Sequence, residues 1–343
     1  MTKKKNIEKN PKQNLYEILE VSPKARTSII QAAYRTLMQE YHPDKSNGDE
    51  KIAKELNNAK EILLDDNKRA KYDNKRNNLE GVIIGNYKVL ELIAEGGFGK
   101  TYKGEHVKRG YPICIKHANE ISPQDEEILM QEAEAIWDLR HYGIPAVRDL
   151  IDVGDGSFAL IMSYIPGPTL EQVIDKTGHL DAEDVCWITE RSLNVLKYLH
   201  YNGVVHGDVK PQNIIIQPES HNIVLVDYGL SAIRPKNSNS NKGYTPVFAS
   251  PEQQRGGTIL PESDFYSLGK TMVYALGGDL AGNRVPEDVP DSLCKFMKKL
   301  LAYEVISRPN WEKEDLLDTF QDLRIKTFGR RHSGMKKIKG LGI

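Results

Sequence analysis

The stretch VVHGDVKPQN, residues 204–213, decides how this chain is read. It sets a carboxylate (Asp208), an ammonium (Lys210) and an amide (Asn213) within six positions. The apolar run that follows, near 214–226, reads as short strands. It ends in NIVLVDYGL (222–230), which brings a second carboxylate, Asp227, just ahead of Gly229.

Outward from that loop, the chain has 343 residues, enough for two or three domains. Hydrophobic residues make up 39% and charged residues 28%, which excludes a disordered chain or a collagen. Its apolar runs fall short of the ~18 residues a spanning helix needs. The basic start, MTKKKNIEKNPK, lacks the apolar core of a signal peptide. Cys114, Cys186 and Cys294 are odd in number and far apart, which speaks against a disulfide framework and for a reducing, cytoplasmic setting. Charge is uneven: residues 1–80 carry +4 and residues 324–343 carry +7, leaving −12 on 81–323. That asymmetry points to separate modules. Five segments are expected: a mobile basic N-terminus (1–13), a helical module (14–75), a connector (76–85), a larger body (86–325) and a basic tail (326–343).

Within the body, LIAEGGFGKTYKG (92–104) places Gly96, Gly97 and Gly99 between two apparent strands. Glycines there let backbone amides approach an anion without a Cβ in the way. YPICIKHA (111–118) is a buried-looking strand ending in Lys116. DEEILMQEAEAIWDLRH (125–141) is a helix rich in acids. FALIMSYIPGPTL (158–170) is another apolar strand, and YTPVFASPEQQ (244–254) follows the carboxylate loop.

Taken in this order over about 240 residues, these elements resemble a protein kinase. The resemblance implies an α+β bilobal fold, with a β-rich N-lobe and a helical C-lobe, that uses ATP and Mg²⁺. It implies roles residue by residue. Asp208 orients the substrate hydroxyl, and Lys210 sits by the transferring phosphoryl group, as in a Ser/Thr kinase. Asn213 and Asp227 hold the metal; carboxylate and amide oxygens suit a hard cation. Lys116 holds the nucleotide phosphates, fixed by an acid on the next helix, either Glu132, the choice by register with LRH, or Glu134. Ala94, Gly96, Gly97 and Gly99 form the phosphate loop, with Ala94 where the first glycine usually stands. Thr101 and Cys114 roof the adenine, Met162 is the gatekeeper, Ser163, Tyr164 and Ile165 form the hinge, and Ile215 lies beneath. Thr245 bridges Asp208 and Lys210, Glu252 pairs with Arg308, and Asp264 anchors the catalytic loop.

The N-terminal module has its own signature. In SPKARTSIIQAAYRTLMQEY (22–41), Ile29, Ile30, Ala33, Leu37 and Tyr41 recur at helical spacing. His42-Pro43-Asp44 then forces a turn. IAKELNNAKEILL (52–64) forms a second stripe through Ile52, Leu56, Ala59 and Leu63, and KRAKYD closes the module. With NLYEILEV before them, these resemble an all-α J domain built on a helical hairpin. That resemblance implies a DnaK-type chaperone as partner, met by His42, Pro43 and Asp44. Two departures bear on affinity. Gln39 and Glu40 stand beside Arg35 where a basic face is usual, and Ala53 and Lys60 stand where aromatics are favoured.

The composite therefore reads as a Ser/Thr protein kinase with protein substrates, tethered to a J domain. The alternatives are a pseudokinase co-chaperone whose body only holds nucleotide or client, and a J module that is purely regulatory. The loop reads His206-Gly207-Asp208, so the arginine that usually meets an activation-loop phosphate is a glycine. The tail GRRHSGMKKIKGLGI lacks aromatics beyond Phe328, so stacking on nucleic acid is not indicated, nor is a membrane partner. The interval between Asp264 and Arg308 is short, which leaves little room for a substrate-docking helix.

Overall fold

The computed structural model describes residues 15–21, 25–45, 49–76, 79–96, 99–118, 123–153, 157–235 and 243–330. The chain divides into two compact units, residues 1–79 and 80–343.

The described residues of the first unit form four helices: α1 (Leu15–Ile18), α2 (Thr27–Tyr41), α3 (Glu50–Leu63) and α4 (Asp66–Arg76). Helix α2 ends where proline dictates. His42, which precedes Pro43, is driven to extended backbone (φ −60°, ψ 133°). Asp49 restarts the chain as the N-cap of α3, accepting from the backbone N–H of Lys51 and Ile52. The apolar stripes meet in a small core of Leu15, Tyr16, Leu19, Ile30, Leu56, Ala59 and Leu63. A four-residue helix has no stability of its own, and α4 supplies it to α1. Arg69 Nε donates to Tyr16 Oη at 2.9 Å, Tyr16 Oη donates to Asp73 Oδ1 at 2.9 Å, and Leu15 N donates to Tyr72 Oη at 2.9 Å.

The second unit opens with β1 (Ile83–Ile84), β2 (Tyr87–Gly96), β3 (Gly99–His106) and β4 (Pro112–His117), then α5 (Pro123–Ile136), β5 (Val147–Asp152) and β6 (Phe158–Ser163). The six strands form one sheet in the order β1-β2-β3-β4-β6-β5, each neighbouring pair antiparallel. The expected connector 76–85 is shorter than its polar residues and glycines suggested. Arg76 still belongs to α4, and Ile83 and Ile84 pair with Lys88 and Tyr87 at the sheet edge.

The remainder is largely helical: α6 (Leu170–Thr177), α7 (Ala182–Tyr201), the short strands β7 (Val204–Val205), β8 (Ile214–Gln217), β9 (Asn222–Leu225) and β10 (Ala232–Ile233), then α8 (Pro251–Gln254), α9 (Pro261–Ala275), α10 (Asp291–Leu300) and α11 (Leu316–Phe328). Helices α7 and α9 are buried on nearly every face, as expected of helices at the centre of a lobe. They share one core with α5, β6, α10 and α11. Residues 277–290 hold turns and a bridge between Asp279 and Arg284, with no helix. The tail begins later than position 326. Helix α11 continues to Phe328 because Gly329 closes it in the left-handed conformation (φ 71°). Among the described residues, no helix is long and apolar enough to cross a membrane.

Candidate active site

The sheet delivers the first half of the site. Register pairs Lys116 of β4 with Thr101 of β3 and Leu160 of β6. On α5, Leu129, Ala133 and Ile136 face the core, and Glu132 lies on that same side. Its Oε2 accepts from Lys116 Nζ at 2.5 Å. Glu134, one residue past Ala133, faces solvent. Lys116 Nζ also donates to Asp227 Oδ1 at 2.6 Å. Burial would discharge the ammonium, but the two carboxylates outweigh it and hold Lys116 charged. Burial likewise opposes ionisation of Asp227, and the nearby Lys116 overrides it, setting the carboxyl at about 2. Asp227 has φ 66°, a conformation unfavourable for a side-chain-bearing residue. It is held there by Lys116, and by Tyr228, whose backbone N–H donates to Glu132 Oε1 at 3.2 Å.

The loop of 204–213 delivers the second half. Asp208 is 6% exposed. Its Oδ1 accepts from Thr245 Oγ1 at 2.7 Å, its Oδ2 lies 2.6 Å from Lys210 Nζ, and Asn213 Nδ2 donates to Oδ2 at 3.0 Å. Lys210 Nζ also donates to Thr245 Oγ1 at 2.9 Å. Behind the loop, Asp264 of α9 accepts from the backbone N–H of His206 and of Gly207, both at 2.8 Å. Gly207 has φ 77°, and a Cβ there would lie 2.6 Å from the Leu230 carbonyl. Only glycine fits this loop path. Arg308 closes the lobe below with a bidentate pair to Glu252, at 2.7 and 2.8 Å.

Two adjoining cavities join these halves. One, of about 390 Å³, is walled by Ile93, Ala94, Cys114, Met162, Ile165 and Ile215 at one end and reaches Lys116, Asn213 and Asp227 at the other. The second, of about 630 Å³, runs from Gly96, Gly99 and Lys116 to Asp208, Lys210 and Thr245. An apolar slot that opens onto a fixed ammonium can take a ligand with an apolar body and an anionic end. Burial pushes the Cys114 thiol up to about 12, so it serves as an uncharged wall. Gly99, on the wall of the second cavity, lets β3 lie close against β4, since a Cβ there would strike the His117 carbonyl at 2.5 Å. Among the described residues, no three His, Cys, Asp or Glu side chains form a metal cage. Asn213 and Asp227 offer an amide and a carboxylate oxygen side by side, which suits Mg²⁺, an ion that takes few protein ligands and the rest from phosphate and water.

The structure thus brings together Lys116, Glu132, Asp208, Lys210, Asn213, Asp227 and Thr245. It sets Ala94, Thr101, Cys114, Met162, Ser163, Tyr164, Ile165 and Ile215 along the slot. Gly97 lies outside the described residues. His42, Pro43 and Asp44 form an exposed turn in the other unit, with Asp44 N donating to His42 Nδ1 at 3.2 Å. Sequence reasoning missed Ile93 and Val226, which also line the slot. Each immediately precedes a residue singled out for chemistry, Ala94 and Asp227; strand alternation would set such neighbours on opposite faces, but the ladder is irregular between Leu92 and Ala94, and Val226 lies past the end of β9, so no sequence signal marked them. It also missed Gln253, whose Nε2 donates to the Gly207 carbonyl at 2.8 Å.

Two family models match the chain: the protein kinase domain over residues 87–316 and the DnaJ domain over residues 14–73. The chain belongs to the protein kinase family and carries a J domain ahead of the kinase fold. It is 31% identical over 236 residues to serine/threonine-protein kinase PrkC of Bacillus subtilis, covering 67% of this chain and 35% of that protein. To serine/threonine-protein kinase PknL of Mycobacterium tuberculosis it is 33% identical over 233 residues, covering 63% of this chain and 58% of the relative. To serine/threonine-protein kinase B of Synechocystis it is 29% identical over 216 residues, covering 57% and 37%. The chain spans about a third to three-fifths of the length of these relatives.

Proposed function

We propose that this chain transfers the γ-phosphoryl group of ATP to serine or threonine hydroxyls of proteins, and that its J domain brings a DnaK-type chaperone or its clients to the kinase. The observation that carries the reading is the Lys116 ammonium clamped between Glu132 and Asp227 across the cleft from Asp208. Asp208 would orient an incoming hydroxyl and take its proton. Lys210, 2.6 Å from Asp208, adds positive charge where the phosphoryl group passes. Asn213 and Asp227 would hold Mg²⁺, which neutralises phosphate charge when bound. Catalysis of this kind is positioning plus charge stabilisation, and turnover of roughly 1–100 per second is typical. Tethering raises the local concentration of whatever the J domain holds. Cys114, Cys186 and Cys294 are all unbridged, which favours a cytoplasmic setting.

The test is radiolabelled transfer from ATP and Mg²⁺ to the chain itself and to a generic basic protein, with and without a DnaK-type chaperone. Label that disappears in Asp208→Ala supports the kinase. Label that responds to chaperone in the wild type and not in His42→Gln supports the tether. No label under any condition would replace this reading with a pseudokinase that only holds nucleotide or client.

A further inference from the structure

The catalytic loop hangs on one buried carboxylate, and that carboxylate is itself aimed by a chain of side chains leading away from the cleft. Asp264 is fully buried and accepts three N–H groups at 2.8 Å: the backbone of His206, the backbone of Gly207 and Nε2 of His200. His200 sits in the last turn of α7, and its side chain is 2% exposed. Its other nitrogen, Nδ1, lies 2.8 Å from Trp311 Nε1. Indole N–H is a donor only. Nδ1 must therefore be the acceptor, and the imidazole hydrogen is forced onto Nε2, where it points at Asp264. Trp311 comes from the segment between α10 and α11, 111 residues away in sequence. It packs edge-on against Phe265, the residue after Asp264, at 5.1 Å between ring centroids.

We propose that Trp311 is a positioning residue for catalysis: by fixing the tautomer of His200 it aims Asp264, and through it the backbone that presents Asp208. The inference rests on the kinase reading for its effect on rate, while the tautomer relay is independent of it. Without the indole donor only the Asp264 carboxylate still holds the hydrogen on Nε2, and the Nδ1–H tautomer becomes accessible. Nε2 would then turn a lone pair toward the carboxylate, and Asp264 would lose one of three donors and drift from the loop amides. Trp311 touches neither cavity wall, so nucleotide binding is left alone.

The experiment uses the full chain and three variants. Trp311→Phe keeps the ring and removes the donor. His200→Gln keeps one donor and one acceptor, and His200→Leu removes both. Histidine ¹⁵N spectra should show wild-type His200 as a single Nε2–H tautomer and Trp311→Phe as a mixture. In transfer assays normalised to bound ATP analogue, Trp311→Phe and His200→Leu should each lose about tenfold in kcat, the scale of one buried hydrogen bond, with KM for ATP unchanged and His200→Gln close to wild type. A single Nε2–H tautomer in Trp311→Phe, or wild-type kcat in His200→Leu, overturns the proposal. If Trp311→Phe fails to bind the analogue, the His200→Gln and His200→Leu pair decides. An inactive wild type that still shows the forced tautomer would fault the kinase reading and leave the relay standing.

Discussion

Thr245→Val removes one hydroxyl from the site and leaves its shape nearly intact. In the structure that hydroxyl donates to Asp208 Oδ1 at 2.7 Å and accepts from Lys210 Nζ at 2.9 Å. Asp208 and Lys210 keep each other at 2.6 Å, so the variant loses the bridge and not the ion pair. One hydrogen bond to a charged group is worth about 1.5–3 kcal/mol. If that amount is lost only as the phosphoryl group moves, kcat falls roughly 10- to 150-fold. Thr245 lines the second cavity and not the apolar slot, so KM for ATP should change far less than kcat. The residue is partly exposed and outside the core, so the unfolding temperature should shift by less than about 2 °C. The assay is steady-state transfer with ATP and protein substrate varied separately, beside a thermal melt, with Thr245→Ser as the control that restores the hydroxyl. Wild-type kcat in Thr245→Val would refute the bridge, and so would a loss confined to KM for ATP.

Four further outcomes follow from the same geometry. All five N–H groups of Arg308 are engaged, two on Glu252 and the rest on the carbonyls of Glu262, Ala302 and Tyr303; Arg308→Met should therefore cost about 3–5 kcal/mol, or roughly 6–20 °C in a calorimetric melt. The Asp227 carboxyl lies at about 2, below its ordinary 3.8, so the stability it supplies is complete above 3.8 and lost as pH falls through 2; acid titration of unfolding should show that loss, and Asp227→Asn should flatten it. Phosphatase-treated protein should transfer phosphate as fast as untreated protein, because Gly207 offers no cation to an activation-loop phosphate; a drop after treatment would contradict this. On α2, Arg35 and Glu40 are the only charged residues, so stimulation of a DnaK-type ATPase should be weak in the wild type, stronger in Gln39→Lys/Glu40→Lys and absent in His42→Gln.

Most of the fold was legible because its signals are local. His42-Pro43-Asp44 ends a helix by proline sterics alone, and the glycine-rich run 92–104 announces a hairpin between strands. The residues that carry chemistry also cluster in short motifs, so Asp208, Lys210 and Asn213 could be named from ten letters. What was not legible depends on distant pairing. Glu132 could be preferred to Glu134 by register with LRH, and the structure pairs it with Lys116, but its second bond, to the backbone N–H of Tyr228 96 residues on, had no local signal. Ile83 and Ile84 look like a connector until a partner strand claims them. His200 and Trp311 carry no motif, and their hydrogen bond spans 111 positions. Gln253 follows a recognisable Ser250-Pro251-Glu252, yet nothing local says that its amide reaches back 46 residues to Gly207.

That last bond gives the glycine at 207 a physical logic. A residue without a side chain can be held only by its backbone, and both backbone polar groups of Gly207 are held. Its N–H goes to Asp264 of α9, and its carbonyl accepts from Gln253 of α8. The other end of the Gln253 amide, Oε1, accepts from Ser250 N and Ser250 Oγ, both at 3.0 Å. Gln253 and Ser250 are fully buried, so breaking this bridge would strand polar groups away from water. One uncharged amide therefore ties the loop of Asp208 to the segment that carries Thr245. A phosphate-dependent clamp would hold the same two pieces only after modification, whereas this one is complete in the unmodified sequence. The left-handed backbone at 207 and the buried glutamine at 253 are thus two halves of one arrangement, and an arginine placed at 207 would meet the Leu230 carbonyl before it could meet a phosphate.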